Sequence, residues 1–180
     1  MTAKRKAVFL DRDGVLNVPL VRDGKPYPPM TVAETKILGD APLSLSRLKQ
    51  NGFLLLVVTN QPDVRRGTTT PERVEEIHAF LSSQLPLDGF FVCYHDDLDD
   101  CLCRKPKPGL LLQAAAQHDI NLLESYLIGD RWRDIDAGFA AGCRTVLIDY
   151  HYHERAAASQ PASIVSSLSE AADWILKQEK

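Results

Sequence analysis

Residues 8–14 read Val-Phe-Leu-Asp-Arg-Asp-Gly. Three apolar residues in succession form a buried strand that stops abruptly at Asp11. Asp13 follows beside Gly14, which lets the backbone turn. Two carboxylates at i and i+2 on a strand end reach one small volume, where one can serve as nucleophile and metal ligand while the other handles protons. The run Asp-Arg-Asp-Gly is also good turn chemistry, so by itself a capped turn explains it equally well.

Working outward, four more apolar runs read as strands, at residues 53–58, 90–94, 126–128 and 145–148, with the first at 7–10. Each is nearly continuous, as expected when helices cover both faces of a parallel sheet. Helical patterns lie between them at 41–51, 71–84, 109–118 and 134–141, with a last one at 167–177. Thr70 is a good N-cap before an N1 proline, and Gly52 and Gly142 end two of the helices. No repeat, low-complexity tract or linker interrupts the alternation. The expected fold is a single α/β domain over residues 1–180, a doubly wound parallel sheet of Rossmann-like type that binds ligands at the carboxyl ends of its strands.

The remaining motifs fall at those ends. Strand two finishes in Thr59-Asn60-Gln61, neutral donors suited to phosphate oxygens, though a Thr-Asn turn reads the same way. After strand three, Cys103-Arg104-Lys105-Pro106-Lys107-Pro108 delivers cations on a proline-stiffened loop. Strand four ends in Gly129-Asp130-Arg131-Trp132-Arg133-Asp134, with two carboxylates four residues apart and Asp134 expected to N-cap the next helix.

The cysteines suggest a second site. Cys93, His95, Cys101 and Cys103 form the pattern Cys-x-His-x5-Cys-x-Cys, three thiolates and an imidazole suited to a closed tetrahedral Zn²⁺ site. A disulfide is disfavoured in a reducing compartment, and unrelated buried thiols leave His95 unexplained. Such a zinc would pin the loop that presents Arg104 and Lys105, without a catalytic part. Cys143 stands apart and reads as a small core residue.

Paired Asp at strand one, Thr at strand two, Lys before a helix and Asp-x-x-x-Asp at strand four together resemble the haloacid dehalogenase superfamily of phosphohydrolases, over residues 8–134. The Cys-x-His…Cys-x-Cys insertion directly before Arg104-Lys105-Pro106 resembles, within it, the D-glycero-D-manno-heptose 1,7-bisphosphate phosphatases and the related histidinol-phosphate phosphatases. The resemblance implies a phosphomonoester hydrolase of the haloacid dehalogenase type, and the short connections after strand one and around strand three leave no room for a cap domain. Asp11 would attack phosphorus and Asp13 act as acid and base. Thr59 and Lys105 would neutralise phosphoryl oxygens. Mg²⁺ would be held by Asp11, Asp130 and the Asp13 backbone carbonyl. Substrate contacts would come from Asn60, Gln61, Arg104 and Arg131. The segment 19–34 is more elaborate than a minimal substrate loop, and Tyr27 within it is expected to touch substrate. The substrate implied is a sugar bisphosphate, with histidinol phosphate the alternative. The chain departs from the group in two places: Arg131 stands where a lysine is usual, and Asp97 replaces a proline two residues after the ligand histidine.

Balanced charge, 21 basic against 24 acidic residues for a net −3, opposes nucleic acid or an anionic membrane as partner. A nucleic-acid 3′-end phosphatase is disfavoured for that reason, and a non-catalytic zinc module because the full catalytic set is present. The N-terminal Met-Thr-Ala-Lys-Arg-Lys runs straight into the first strand, so a cytoplasmic monomer is expected. His78 and His118 lie on helix patterns where surface or capping roles are expected, and Trp132 and Trp174 read as packing residues.

Overall fold

A computed structural model describes residues 4–179. The chain forms strands β1 (Ala7–Leu10), β2 (Leu20–Arg22), β3 (Lys25–Tyr27), β4 (Leu54–Asn60), β5 (Gly89–Cys93), β6 (Tyr126–Gly129), β7 (Arg144–Ile148) and β8 (Ser163–Val165). Helices are α1 (Ala41–Gln50), α2 (Pro71–Gln84), α3 (Gly109–His118), α4 (Trp132–Ala141) and α5 (Leu168–Gln178).

Six strands make one parallel sheet in the order β5-β4-β1-β6-β7-β8. Every residue of β1 is fully buried because successive side chains enter two different cores. Val8 and Leu10 pack with Leu45, Leu48, Ile77 and Ile175 from α1, α2 and α5. Ala7 and Phe9 pack on the opposite face with Leu110, Leu111, Ala114 and Ala137 from α3 and α4. The continuous apolar reading of β1 thus has its physical cause in a sheet covered on both sides. From β1 the chain moves outward through β4 and β5, then returns through β6 to β8, so the crevice between β4 and β6 at the end of β1 is the switch point.

Two elements were not expected from the sequence. A hairpin of β2 and β3 turns on Asp23 and Gly24, both at positive φ (51° and 72°), the signature of an Asp-Gly turn. The short edge strand β8 pairs with β7. The connection from β1 to α1 holds that hairpin and a 3-10 turn, and the connection from β5 to α3 is the cysteine-bearing loop; no cap domain stands between them. No helix among the described residues is long and apolar enough to cross a membrane.

Thr70 caps α2 as expected, its side chain accepting from the Arg73 N–H at 3.4 Å. One expectation is corrected. Asp134 does not N-cap α4; the helix starts at Trp132, Arg131 holds the cap position, and the Asp134 carboxylate reaches back to accept from the Arg131 N–H at 3.1 Å. Beginning the helix two residues earlier turns this side chain inward, where it is 1% exposed.

Candidate active site

Asp11 follows β1 directly and is held by its neighbours across the sheet. Its N–H donates to the Ile128 carbonyl of β6 at 3.0 Å. Its Oδ1 accepts from the Arg12 N–H at 2.8 Å and lies 2.9 Å from Lys105 Nζ. The Lys105 ammonium also donates to Asp134 Oδ1 at 2.5 Å and to the Val58 carbonyl at 2.7 Å. All three of its protons are therefore engaged, and a lysine delivered from a loop is fixed as firmly as a core residue. Burial disfavours its charge, but the Asp11 and Asp134 carboxylates outweigh that and hold the ammonium above the usual lysine range.

Asp13 has the opposite partner set. It accepts from Asn17 Nδ2 at 2.9 Å and Gln61 Nε2 at 3.0 Å, and lies 3.0 Å from Arg12 Nη2. Arg12 is fully buried, and its Nη1 lies 3.3 Å from His78 Nε2. An arginine only donates, so that ring nitrogen accepts. A surface or capping role was expected of His78; it is instead buried, stacked on Phe90 with centroids 4.3 Å apart. Burial and the Arg12 charge push its pKa down to about 4, so the ring stays neutral where the carboxylates are ionised.

The strand-two motif supports this pair. Gln61 bridges Asp13 and Thr59, giving Thr59 Oγ1 a hydrogen bond at 2.9 Å. Asn60 makes a reciprocal amide pair with the Lys105 backbone, at 3.0 and 3.1 Å. Asn60 lines the cleft, whereas Thr59 and Gln61 are buried behind it.

Asp130 at the end of β6 completes the group. Ligand oxygens of Asp11, Asp130 and Asp134 lie within 4.8 Å of one another. Asp130 Oδ2 accepts from Tyr152 at 3.0 Å, while its Oδ1 is buried without a partner. Such an oxygen is costly to bury unless something positive meets it. Burial and the neighbouring carboxylates push Asp130 well above the usual carboxylate range, and burial raises Asp11 to about 6. The cluster could hold a cation. Gly14 makes room for it: a Cβ there would lie 2.0 Å from Asp130 Oδ2, and its φ is +86°.

The cysteine-bearing loop brings Cys93, His95, Cys101 and Cys103 together with their ligand atoms within 4.8 Å of one another. Sulfur separations are 3.2, 3.5 and 3.7 Å, and His95 Nδ1 lies 3.3 Å from Cys103 Sγ. A tetrahedral ion with bonds of ~2.3 Å holds sulfurs roughly 3.8 Å apart, somewhat wider than these separations, and the four residues could hold zinc. The neighbouring aspartates do not join it; they take Arg66, Arg104 and Lys107 as partners.

Above Asp11 opens a cleft of about 240 Å³ lined by Asp13, Tyr27, Asn60, Arg104, Arg131 and Arg133, among others. Tyr27 comes from the hairpin. Arg131 is clamped by Glu154 through two hydrogen bonds, one at 3.0 Å.

Residues 102–171 match a family model described as HAD-hydrolase-like. A Helicobacter pylori protein named D-glycero-beta-D-manno-heptose-1,7-bisphosphate 7-phosphatase is 38% identical over 149 residues, covering 79% of this chain and 83% of that one. The chain belongs to this phosphatase family. An Escherichia coli K12 member is 31% identical over 94% of this chain and 87% of its own. A crystal structure of D,D-heptose 1,7-bisphosphate phosphatase from B. bronchiseptica, complexed with magnesium and phosphate, superposes with a TM-score of 0.77 at 26% identity, covering 96% of this chain and 99% of that one. Membership makes this chain a phosphatase of the haloacid dehalogenase type.

Several neighbours of the site carried no role in the sequence reading: Arg12, Arg133, Tyr152 and Glu154, with Asp97 marked only as a departure from the group's proline. Arg133 carried a readable signal, one residue before the buried Asp134 on the first turn of α4. Arg12 lies between Asp11 and Asp13 in the chain, whereas Tyr152 and Glu154 meet the site only through tertiary contacts.

Proposed function

We propose that the protein is a Mg²⁺-dependent phosphomonoester hydrolase that removes the C7 phosphate of D-glycero-D-manno-heptose 1,7-bisphosphate through an aspartyl-phosphate. The observation that carries this is the Lys105 ammonium bridging Asp11 and Asp134 beneath a cleft walled by arginines. The names borne by relatives of this family support the substrate.

With Oδ1 of Asp11 engaged by Lys105 and Arg12, Oδ2 remains to attack phosphorus. An Oδ2–phosphorus bond forms as the bond to the sugar oxygen breaks, and Asp13 donates a proton to that leaving oxygen. Water then attacks the phosphoryl group, Asp13 takes its proton, and phosphate departs with Asp11 regenerated. Lys105 offsets charge on the phosphoryl oxygens. Thr59, already accepting from Gln61, keeps its own hydroxyl proton to donate. Asn60 and Gln61 position Lys105 and Asp13, while Arg104, Arg131 and Tyr27 meet the sugar and its second phosphate. Mg²⁺ bound to Asp11, Asp130 and the Asp13 backbone carbonyl would supply charge neutralisation. Zn²⁺ held by Cys93, His95, Cys101 and Cys103 would fix the Arg104–Lys105 loop. The same reading has one domain over residues 1–180 acting as a cytoplasmic monomer on a small molecule, with neither nucleic acid nor membrane as partner, in keeping with the net charge of −3.

The test is steady-state kinetics with heptose bisphosphate, histidinol phosphate and a 3′-phosphorylated oligonucleotide. The bisphosphate is expected to show the highest kcat/KM. A preference for histidinol phosphate would overturn the substrate assignment.

Metal binding should also be visible in stability. Asp11 has a folded pKa of about 6, above its ordinary 3.8, and Asp130 is raised too. A raised pKa means the folded state holds the proton more tightly. Its contribution to stability is present below about pH 4 and is lost as pH rises through about 6. Mg²⁺ binds the ionised carboxylates, so the rise in Tm that it causes is expected to be small at about pH 5 and to grow to about pH 7.5. Thermal scans with and without Mg²⁺ check this; an equal rise at both pH values would contradict it.

A further inference from the structure

We infer that Asp97 is a specificity-determining residue, an internal carboxylate that occupies the subsite for the substrate's second phosphate. The inference rests on the phosphatase reading above.

Two guanidinium groups converge on this one side chain. Arg104 Nε donates to Asp97 Oδ1 at 2.9 Å, Arg133 Nη1 donates to the same oxygen at 2.9 Å, and Arg133 Nη2 donates to Oδ2 at 3.3 Å. Planar guanidinium groups in this arrangement match a phosphate as well as a carboxylate. All three residues line the cleft above Asp11, and Arg104 is the immediate neighbour of Lys105.

The two arginines are held in place and the carboxylate is not. The Arg104 side chain is 10% exposed and also donates to the His95 carbonyl at 3.2 Å. Its backbone follows the cage residue Cys103, and its N–H meets Cys101 Sγ at 3.3 Å. Arg133 lies over the Trp132 ring, 4.6 Å from its centroid, and reaches the Lys105 carbonyl at 3.4 Å. Asp97 is 52% exposed on its side chain, and no further donor holds its oxygens among the described residues. The backbone of Asp97 is fixed by the reciprocal bonds between Asp96 and Asp99. Rotation of one exposed side chain therefore frees both arginines, with no movement of the loop.

This gives the exchange a direction. A phosphate dianion brings more charge and more acceptor oxygens than a carboxylate, so it displaces Asp97 when the scissile phosphate sits at Asp11. A monophosphate has nothing to offer Arg104 and Arg133, and Asp97 stays in place. Asp97 thus lowers affinity for every substrate that must evict it, while leaving no arginine bare in the empty cleft.

The test is Asp97→Asn, which keeps shape and removes charge. Because the pair is half-exposed, each lost ion pair is modest, and the KM for heptose bisphosphate is expected to fall about three- to tenfold. The ratio of kcat/KM for the bisphosphate over heptose 7-phosphate is expected to rise by the same factor. Arg133→Ala is expected to lower that ratio. Binding of the bisphosphate to Asp11→Asn protein, with and without Asp97→Asn, reads the same exchange without turnover. If Asp97 instead serves as a brace that keeps Arg104 ready, Asp97→Asn raises KM and lowers the ratio, and the inference is overturned; an unmoved ratio overturns it too. A wild type inactive on every sugar bisphosphate fails the phosphatase reading itself, and this inference with it.

Discussion

Asp11→Asn is expected to lower phosphate release by about four to six orders of magnitude, the loss seen when a covalent nucleophile is removed, while the protein stays folded. An amide oxygen is a poor nucleophile towards phosphorus and a weak partner for a divalent cation. The fold survives because Asp11 serves the sheet through its backbone N–H to Ile128, which the substitution retains. Lys105 keeps Asp134 and the Val58 carbonyl, so its charge is not left unpaired in the interior, the situation that makes loss of one ion-pair partner severe. Circular dichroism and a phosphate assay check both halves. Substantial turnover in a clean preparation would mean that Asp11 is not the nucleophile.

Removal of zinc should have the second largest effect. One tightly held equivalent per chain is expected, distinct from exchangeable Mg²⁺. Cys103→Ser is expected to lose it and to destabilise the protein by roughly 3–5 kcal/mol. That lies below the ~10–16 kcal/mol of isolated zinc-finger peptides because the sheet and its two cores do not depend on the cage. Activity should fall about a hundredfold, since the loop that orders Arg104 and Lys105 is also the zinc loop and small misplacements are costly in catalysis. Elemental analysis, thermal scans and kcat/KM measure the three effects. Zinc far below one equivalent, with no other metal in its place, would defeat the assignment.

What could be read from the sequence follows from how local each signal is. The five longer parallel strands were legible because a covered sheet leaves nearly unbroken apolar runs, as in residues 54–58, and α2 because Thr70 and Pro71 mark its start within two residues. The hairpin and β8 have three-residue strands with no fully buried residue, too short for periodicity to register. Asp23-Gly24 was the available signal for the hairpin. Asp11, Asp13, Lys105 and Asp130 stood out because each sits where an apolar run or a proline-framed loop ends.

The supporting shell was hidden for the complementary reason. Arg12 lies in the decisive stretch itself, yet an arginine carries no sign in sequence that it will be wholly buried against His78, 66 residues away. Asp97 was visible only as a departure from the group's proline; its partner Arg133 lies 36 residues on. Arg131 was legible as a cation at the site, but Glu154, which clamps it, sits on a loop beyond β7 without any pattern of its own.

The covalent route through Asp11 is the centre of this account, and trapping the intermediate tests it most directly. With Asp13 proposed as the proton donor and acceptor for both steps, Asp13→Asn is expected to slow the hydrolytic step even when the leaving group needs no proton. With an activated aryl phosphate, acid quenching of that variant followed by peptide mass spectrometry is predicted to find one phosphoryl group on the peptide containing Asp11, lost when Asp11 is also replaced. A variant that turns over the substrate with no phosphorylated peptide at any quench time would contradict the account.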